Sequence, residues 1–335
     1  MKKDNYFKSP VIASSGLMGI VGEGYKYHKI LKILLSVLFS FKWITFQMKT
    51  MTTWKRNGNM KLSKKDGITP VDFHPHCIYA NLWKGYGVNN VSLSNPGVEA
   101  ILKKGILQKK EGELHLSVMF LLKDLKERIV EVNIFVAILK AELKKFKAKK
   151  IFLHWNVSCP NTGHNAKRSF LESFNQDYKI LKELGLPIIL KVGWNFPIDV
   201  LLKLQEEKMI FGIDAINTIP FNELPSITKR RYFKRNRSGH FISPLDKYQH
   251  EFNVKGRGGV SGNPIRPYAL KWIKKSRKAG ITLPIIGGGG ILWPWHVYQF
   301  KKAGATAISP GSVAFLRPFN MLFITLTALL IFRKH

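Results

Sequence analysis

Cysteine is scarce: Cys77 and Cys159 are the only two in 335 residues. Two thiols cannot build a disulfide framework, a four-cysteine zinc site or an iron–sulfur centre held by this chain alone. Such usage belongs to a reducing compartment and points to the cytoplasm. Acidic residues are also few, 21 Asp and Glu against 54 Lys and Arg, for a formal charge of +33. Long apolar runs are missing. The stretch 30–46 is broken by Lys32 and Lys42, and the apolar tail 321–332 falls far short of the roughly 20 residues of a membrane span. The start of the chain has lysines but no apolar core of a secretory signal. There is no repeat of solenoid period and no low-complexity linker.

What remains is a globular composition. Apolar residues make up 45% and charged residues 22%, enough to bury a core and too apolar for disorder. Lysines are spread from Lys2 to Lys334, which reads as a coat on helices, with no nucleic acid expected as a partner. A denser cluster, Lys229, Arg230, Arg231, Lys234, Arg235 and Arg237, reads as a solvated loop. The tail reads as a last helix of the fold in preference to an interfacial membrane anchor.

Short apolar runs alternate with longer amphipathic stretches. The runs are residues 11–15, 42–48, 114–121, 150–158, 187–194, 213–219, 283–287 and 306–310, with helix-like segments such as 124–146 and 168–184 between them. Continuous apolar strands are buried on both faces, as in a parallel sheet. Eight such units predict an α/β fold, a (β/α)8 TIM barrel, over residues 1–318, with residues 319–335 an apolar C-terminal helix or tail. Long loops follow the second strand (57–98) and the sixth (220–259). Both fall at the catalytic end of a barrel and are expected to cover a substrate.

Glycine marks the same end. Gly287-Gly288-Gly289-Gly290 follows the seventh run, Gly311-Ser312 closes the eighth, and Gly259, Ser261 and Gly262 precede a helix-like segment. Backbone N–H groups of such loops bind phosphate in barrels. The fourth run leads into Asn156-Val157-Ser158-Cys159-Pro160-Asn161, where Pro160 ends the ladder and Cys159 stands at the barrel mouth. His74-Pro75-His76-Cys77 could suggest metal ligands, but neighbours so close cannot close a tetrahedral site alone, and no metal is expected.

The segment Asn-Val-Ser-Cys-Pro-Asn resembles the active-site motif of the dihydroorotate dehydrogenases. Other segments agree in order. Ser14-Ser15-Gly16 is similar to that family's Ala-Ser-Gly, with serine for alanine. Lys49-Thr50-Met51-Thr52, followed by Arg56-Asn57-Gly58-Asn59, resembles its Lys-Thr-x-Thr…Arg-x-Gly-Asn element. Asn89-Asn90-Val91-Ser92-Leu93-Ser94-Asn95-Pro96-Gly97 resembles Asn-x-x-Gly-Leu-x-Asn-Pro-Gly, with Ser92 for glycine. Lys191 and Asn217-Thr218 match positions on the fifth and sixth strands. The likeness runs from about residue 10 to 315.

This resemblance implies oxidation of dihydroorotate to orotate in de novo pyrimidine biosynthesis, with FMN as cofactor. It implies Cys159 as general base, the place serine takes in the membrane-linked class, and Lys49 as a second catalytic group. Substrate contacts would come from Lys49, Asn89, Val91, Ser92, Leu93, Asn156, Asn161, Asn217 and Thr218. FMN contacts would come from Ser14, Ser15, Gly16, Lys49, Thr50, Asn156, Lys191, Ser261, Gly262, Gly289, Gly290, Gly311 and Ser312. The electron acceptor stays open among fumarate, quinone, and nicotinamide through an electron-transfer subunit, and a homodimer is also open. Two other functions are weighed. A tRNA dihydrouridine synthase would suit the charge, but its motif reads Gly-Cys-Pro without an asparagine like Asn161. A non-catalytic, basic nucleic-acid-binding barrel is the other.

Overall fold

The computed structural model describes residues 6–34, 41, 43–157, 167–251 and 256–332. In chain order its strands are β1 (Phe46–Gln47), β2 (Ile78–Asn81), β3 (Tyr86–Asn89), β4 (Gly112–Val118), β5 (Ala148–Asn156) and β6 (Ile188–Val192). They continue with β7 (Gly212–Ala215), β8 (Ile219–Pro220), β9 (Gly259–Gly262), β10 (Ile285–Gly288) and β11 (Ala307–Ser309). Seven of them form a parallel sheet in the order β1-β4-β5-β6-β7-β10-β11. The eighth stave is the short segment Val11–Ile12. Val11 bridges Ile308 and Ile12 bridges Thr45, both in parallel. Ile12 N–H donates to Ile308 C=O (3.0 Å) and Ala13 N–H to Thr45 C=O (2.9 Å). The two sheet edges are thereby joined into an eight-staved barrel, which leaves no open edge.

Alternation along each stave sorts the side chains. Leu114, Leu116 and Val118 of β4, Leu153 and Trp155 of β5, and Leu190 and Val192 of β6 belong to the large core beneath the helices. The alternate residues Ile12, Phe152, Ile189, Ile286 and Ala307 form a separate small cluster with Phe7, filling one end of the barrel interior. Above them the interior turns polar, with Gln47, His115, His154 and Asp214 all buried.

The helices lie outside. Leu125–Leu143 starts where Asp124 accepts the N–H groups of Lys126 (2.9 Å) and Glu127 (3.1 Å), an N-cap that satisfies two orphan donors. The helix Asn320–Ile331 packs on the helix Pro294–Ala303 and buries Met321, Ile324, Thr325 and Ala328. No helix among the described residues is long and apolar enough to cross a membrane.

The two long loops meet. Hairpin β2–β3, from the first, pairs antiparallel with β9, and β8, from the second, pairs with β9 on its other side. Gly259–Gly262, read from sequence as part of a glycine loop, is therefore a strand of this small sheet. The basic cluster is only partly a loop, because Ser226–Tyr232 is helical; Arg230, Arg231, Lys234, Arg235 and Arg237 are exposed.

The C-terminal helix offers a test of packing. Ile324 is fully buried and Leu330 is 69% exposed. Ile324→Ala is expected to lower stability by about 2–4 kcal/mol in urea unfolding, and Leu330→Ser by under about 0.5 kcal/mol.

Candidate active site

The segments flagged by sequence clasp each other at the catalytic end of the barrel. Arg56 and Asn95 exchange backbone hydrogen bonds (2.8 and 3.0 Å), and Arg56 Nε donates to Ser92 C=O (2.8 Å). Gly58 lies so close to the 91–94 turn that a Cβ there would stand 2.7 Å from Ser92 O. The Asn95 side chain ties the turn down. Its Oδ1 accepts from Gly97 N–H (2.9 Å), and its Nδ2 donates to Leu93 C=O (2.6 Å) and to Thr52 Oγ1 (2.9 Å). Ser92 has φ of +55° and Leu93 of +59°, the left-handed region. A glycine suits the first position, which is the physical sense of the serine-for-glycine departure.

This clasp forms one wall of a cavity of about 760 Å³. Ser14, Ser15, Gly16, Lys49 and Thr50 line it from the first two staves. Asn89, Val91, Ser92 and Leu93 line it from the clasp, and Asn156, Lys191, Asn217 and Thr218 from the fourth to sixth staves. Ser261, Gly289, Gly290, Gly311 and Ser312 complete it. Gly262 sits behind this wall, packed against the Tyr86 Cα. Ser158, Cys159 and Asn161 lie outside the described residues.

Of the two long loops, the first covers the cavity with Phe73, His74, Pro75, Ile78, Tyr79 and Leu82. No described residue of 220–258 lines it; those residues brace β9 and back the hairpin, where Asn90 Nδ2 donates to Gly256 C=O (3.1 Å). Sequence reasoning missed the apolar part of the lining, including Tyr25, Tyr27 and Phe315. Tyr27 and Phe315 lie on short helices, and single aromatic residues there or in loops carry no spacing signal of their own.

The polar floor is tightly bonded. Thr50 Oγ1 lies 3.0 Å from Ser15 Oγ and 2.9 Å from Ser117 Oγ. Asn217 Nδ2 donates to Asn156 Oδ1 (2.9 Å), which fixes both amides. Lys49 Nζ donates to Ser94 C=O (2.6 Å). Burial lowers the Lys49 ammonium to about 8, opposed in part by the nearby Glu23 carboxylate. Burial also pushes the Cys77 thiol up to about 12, so it is a thiol beside that lysine and no nucleophile. Lys191 Nζ is 4.0 Å from Asp214 Oδ2.

A family model described as dihydroorotate dehydrogenase matches residues 3–324. The chain belongs to the dihydroorotate dehydrogenase family. Family membership makes it an oxidoreductase acting on the CH–CH bond of dihydroorotate, in pyrimidine biosynthesis, and a flavoprotein. It excludes the dihydrouridine synthase and the non-catalytic barrel. Among curated relatives, the chain is 29% identical over 322 residues to "Dihydroorotate dehydrogenase B (NAD(+)), catalytic subunit" of Caldicellulosiruptor saccharolyticus, covering 93% of this chain and 86% of that one. It is 28% identical over 240 residues to "Dihydroorotate dehydrogenase A (fumarate)" of Lactobacillus delbrueckii subsp. bulgaricus, covering 68% and 66%. A crystal structure of DHODH from Eimeria tenella, in complex with ferulenol, shares the fold with a TM-score of 0.62 at 17% identity, over 97% of this chain and 81% of that one.

The clasp is expected to be costly to break. Asn95→Ala would leave the buried Gly97 N–H without its acceptor and should destabilise the protein by about 1–3 kcal/mol, read from its thermal unfolding.

Proposed function

We propose that the cavity holds FMN and dihydroorotate together and that Cys159 takes the substrate proton. The observation that carries this is convergence: residues as far apart as Ser14 and Ser312, each matched to a family motif, line one cavity. Its volume lies in the range of cofactor sites. The residues present also fit the cofactor. Gly290 has φ of +90°, and a Cβ there would stand 2.5 Å from Gly262 O and 2.8 Å from Arg266 Cβ. The turn is thus built for bare backbone, as a phosphate cradle needs. His296 holds it, with Nδ1 accepting Leu292 N–H (3.1 Å).

Gly289, Gly290, Gly311 and Ser312, with Ser261 and Gly262 beside them, would hold the phosphate. Ser14, Ser15, Gly16, Thr50, Asn156 and Lys191 would face the ring system. When bound, FMN accepts the hydride of the substrate. The work of the chain is to bind, orient and move one proton. Asn89, Asn156, Asn161 and Asn217, with Thr218, offer the paired donors and acceptors that a planar pyrimidine presents. Val91, Ser92 and Leu93 close over its edge. Lys49 supplies positive charge for the substrate carboxylate, fixed in place by its bond to Ser94. Cys159, as thiolate, removes the ring proton.

For electron transfer onward, the relative named as a catalytic subunit supports a partner subunit, since two cysteines cannot hold an iron–sulfur centre here. The same cysteine usage supports work in the cytoplasm.

The decisive experiment is anaerobic mixing of purified protein with dihydroorotate while flavin absorbance is followed; flavin bleaching is expected. Cys159→Ala should keep its flavin and bleach about 10²–10⁴-fold more slowly. Bleaching at the wild-type rate would take the proton-removing role from Cys159. Orotate affinity should also fall as pH rises through about 8, where Lys49 loses its charge. Lys49→Met should bind orotate weakly at every pH, with that dependence gone, by equilibrium titration.

A further inference from the structure

The barrel interior carries a line of titratable side chains, Glu113, His115, His154 and Asp214, that do not line the cavity. Below the cavity, Asp214 Oδ2 is 3.2 Å from His154 Nδ1. His154 Nε2 is 2.6 Å from His115 Nδ1, and His115 Nε2 is 2.9 Å from Glu113 Oε1. The other Glu113 oxygen accepts Lys8 N–H (2.9 Å), next to the exposed Lys8 at the end of the barrel opposite the cavity. We propose that Glu113, His115, His154 and Asp214 form a proton relay through the barrel, which supplies a proton beside Lys191 when the electron pair enters the cavity. The inference rests on the flavin reading.

The chemistry of the contacts supports transfer. Two imidazole nitrogens 2.6 Å apart must share one proton, so the tautomers of His115 and His154 are locked together. The relay is loaded when a proton from water reaches Glu113, which then donates to His115 Nε2 (2.9 Å). His115 Nδ1–H then donates to His154 Nε2, and His154 Nδ1–H donates to Asp214. Transfer moves the Glu113 proton to His115 Nε2, the His115 Nδ1 proton to His154 Nε2, and the His154 Nδ1 proton to Asp214 Oδ2. Each bond to hydrogen that breaks is matched by one that forms. Glu113 ends ionised, Asp214 ends protonated, both rings stay neutral with exchanged tautomers, and no electron moves. In that exchanged state Gln47 Nε2, 3.0 Å from His154 Nδ1, is the donor that satisfies it.

The surroundings favour neutral rings at rest. Burial lowers His154 to about 4 and lowers His115 as well, opposed by Asp214 and Glu113 respectively. Burial tends to raise Asp214, but Lys191 and the bonds from His154 and Gln47 outweigh it and hold the carboxyl below its ordinary value. The charged and titratable groups facing the line are Lys191 near its upper end and Lys150 near His115. Gln47 adds a neutral amide beside His154 and Asp214, and aromatic rings flank His115. Phe152 stacks on His115 with ring centroids 4.8 Å apart, and Phe7 stands at 6.0 Å.

The test is the midpoint potential of bound FMN against pH, in the holoenzyme, for wild type, Glu113→Gln and His115→Phe. Wild type should take up one more proton per electron pair than either variant, read as a steeper fall of potential with pH. Equal slopes overturn the relay. Glu113→Gln is isosteric and decides alone if His115→Phe does not fold. A second readout needs no flavin: in ¹⁵N spectra of the wild-type histidine side chains, His115 and His154 should change tautomer together as pH is varied. Independent changes overturn the relay, whereas a chain that binds no FMN overturns the flavin reading alone.

Discussion

Closure of the barrel by Val11–Ile12 is the constraint on which the rest depends. Two residues hydrogen-bond to Ile308 on one side and Thr45 on the other, and an open parallel sheet becomes a ring. Once the ring is shut, every second side chain of every stave must share one narrow interior. Lys49, Asn156 and Lys191 reach a common floor for that reason, although more than a hundred residues separate the first from the last. The same closure brings Ser14 against Ser309, where its hydroxyl lies 2.9 Å from the carbonyl oxygen and 2.8 Å from the Oγ.

The interior is graded along its axis. One end is an apolar plug of Ile12, Phe152, Ile189, Ile286 and Ala307. Beside and above it stand the two histidines, Gln47 and Asp214, then the lysines and asparagines of the cavity floor. Buried polar groups at this density persist only when bonded to one another, and a half-satisfied set would be worse than an apolar core. The observed bonds run from Glu113 to Lys191 through shared partners, so the plug, the relay and the cavity floor are successive layers of one packing problem. The second sheet closes the open end. Its strands come from two loops far apart in sequence and hold the cavity wall at Asn89 and Ser261.

Much of this was legible in the residues. The eight apolar runs correspond to the eight staves, because a strand buried on both faces must be apolar along most of its length. The motif glycines and asparagines carried the cavity lining, because turns with positive φ and paired amide contacts admit few residue types. Gly262 was placed less well. Its motif is strand-like, and paired with Tyr86 it stands just behind the lining, its carbonyl against Gly290. The loop 220–259 was expected as a cover on its length and position, yet its described residues brace β9, since length alone says nothing of where a loop folds back.

By itself, then, the sequence determined the fold class, the family and the residue types of the site, all of which follow from local periodicity and short motifs. Tertiary structure alone decided which side chains meet. His115 and His154 sit on different staves, 39 residues apart, and nothing in either run announces that a nitrogen of each ring lies 2.6 Å from the other. Their contact is set by strand register, Ser117 opposite His154 and Leu116 opposite Leu153, which no single strand contains. The apolar wall of Tyr25, Tyr27 and Phe73 has the same origin. Loops and the short helix of Tyr27 settle where the closed barrel leaves room for them, and that room exists only once all eight staves are in place.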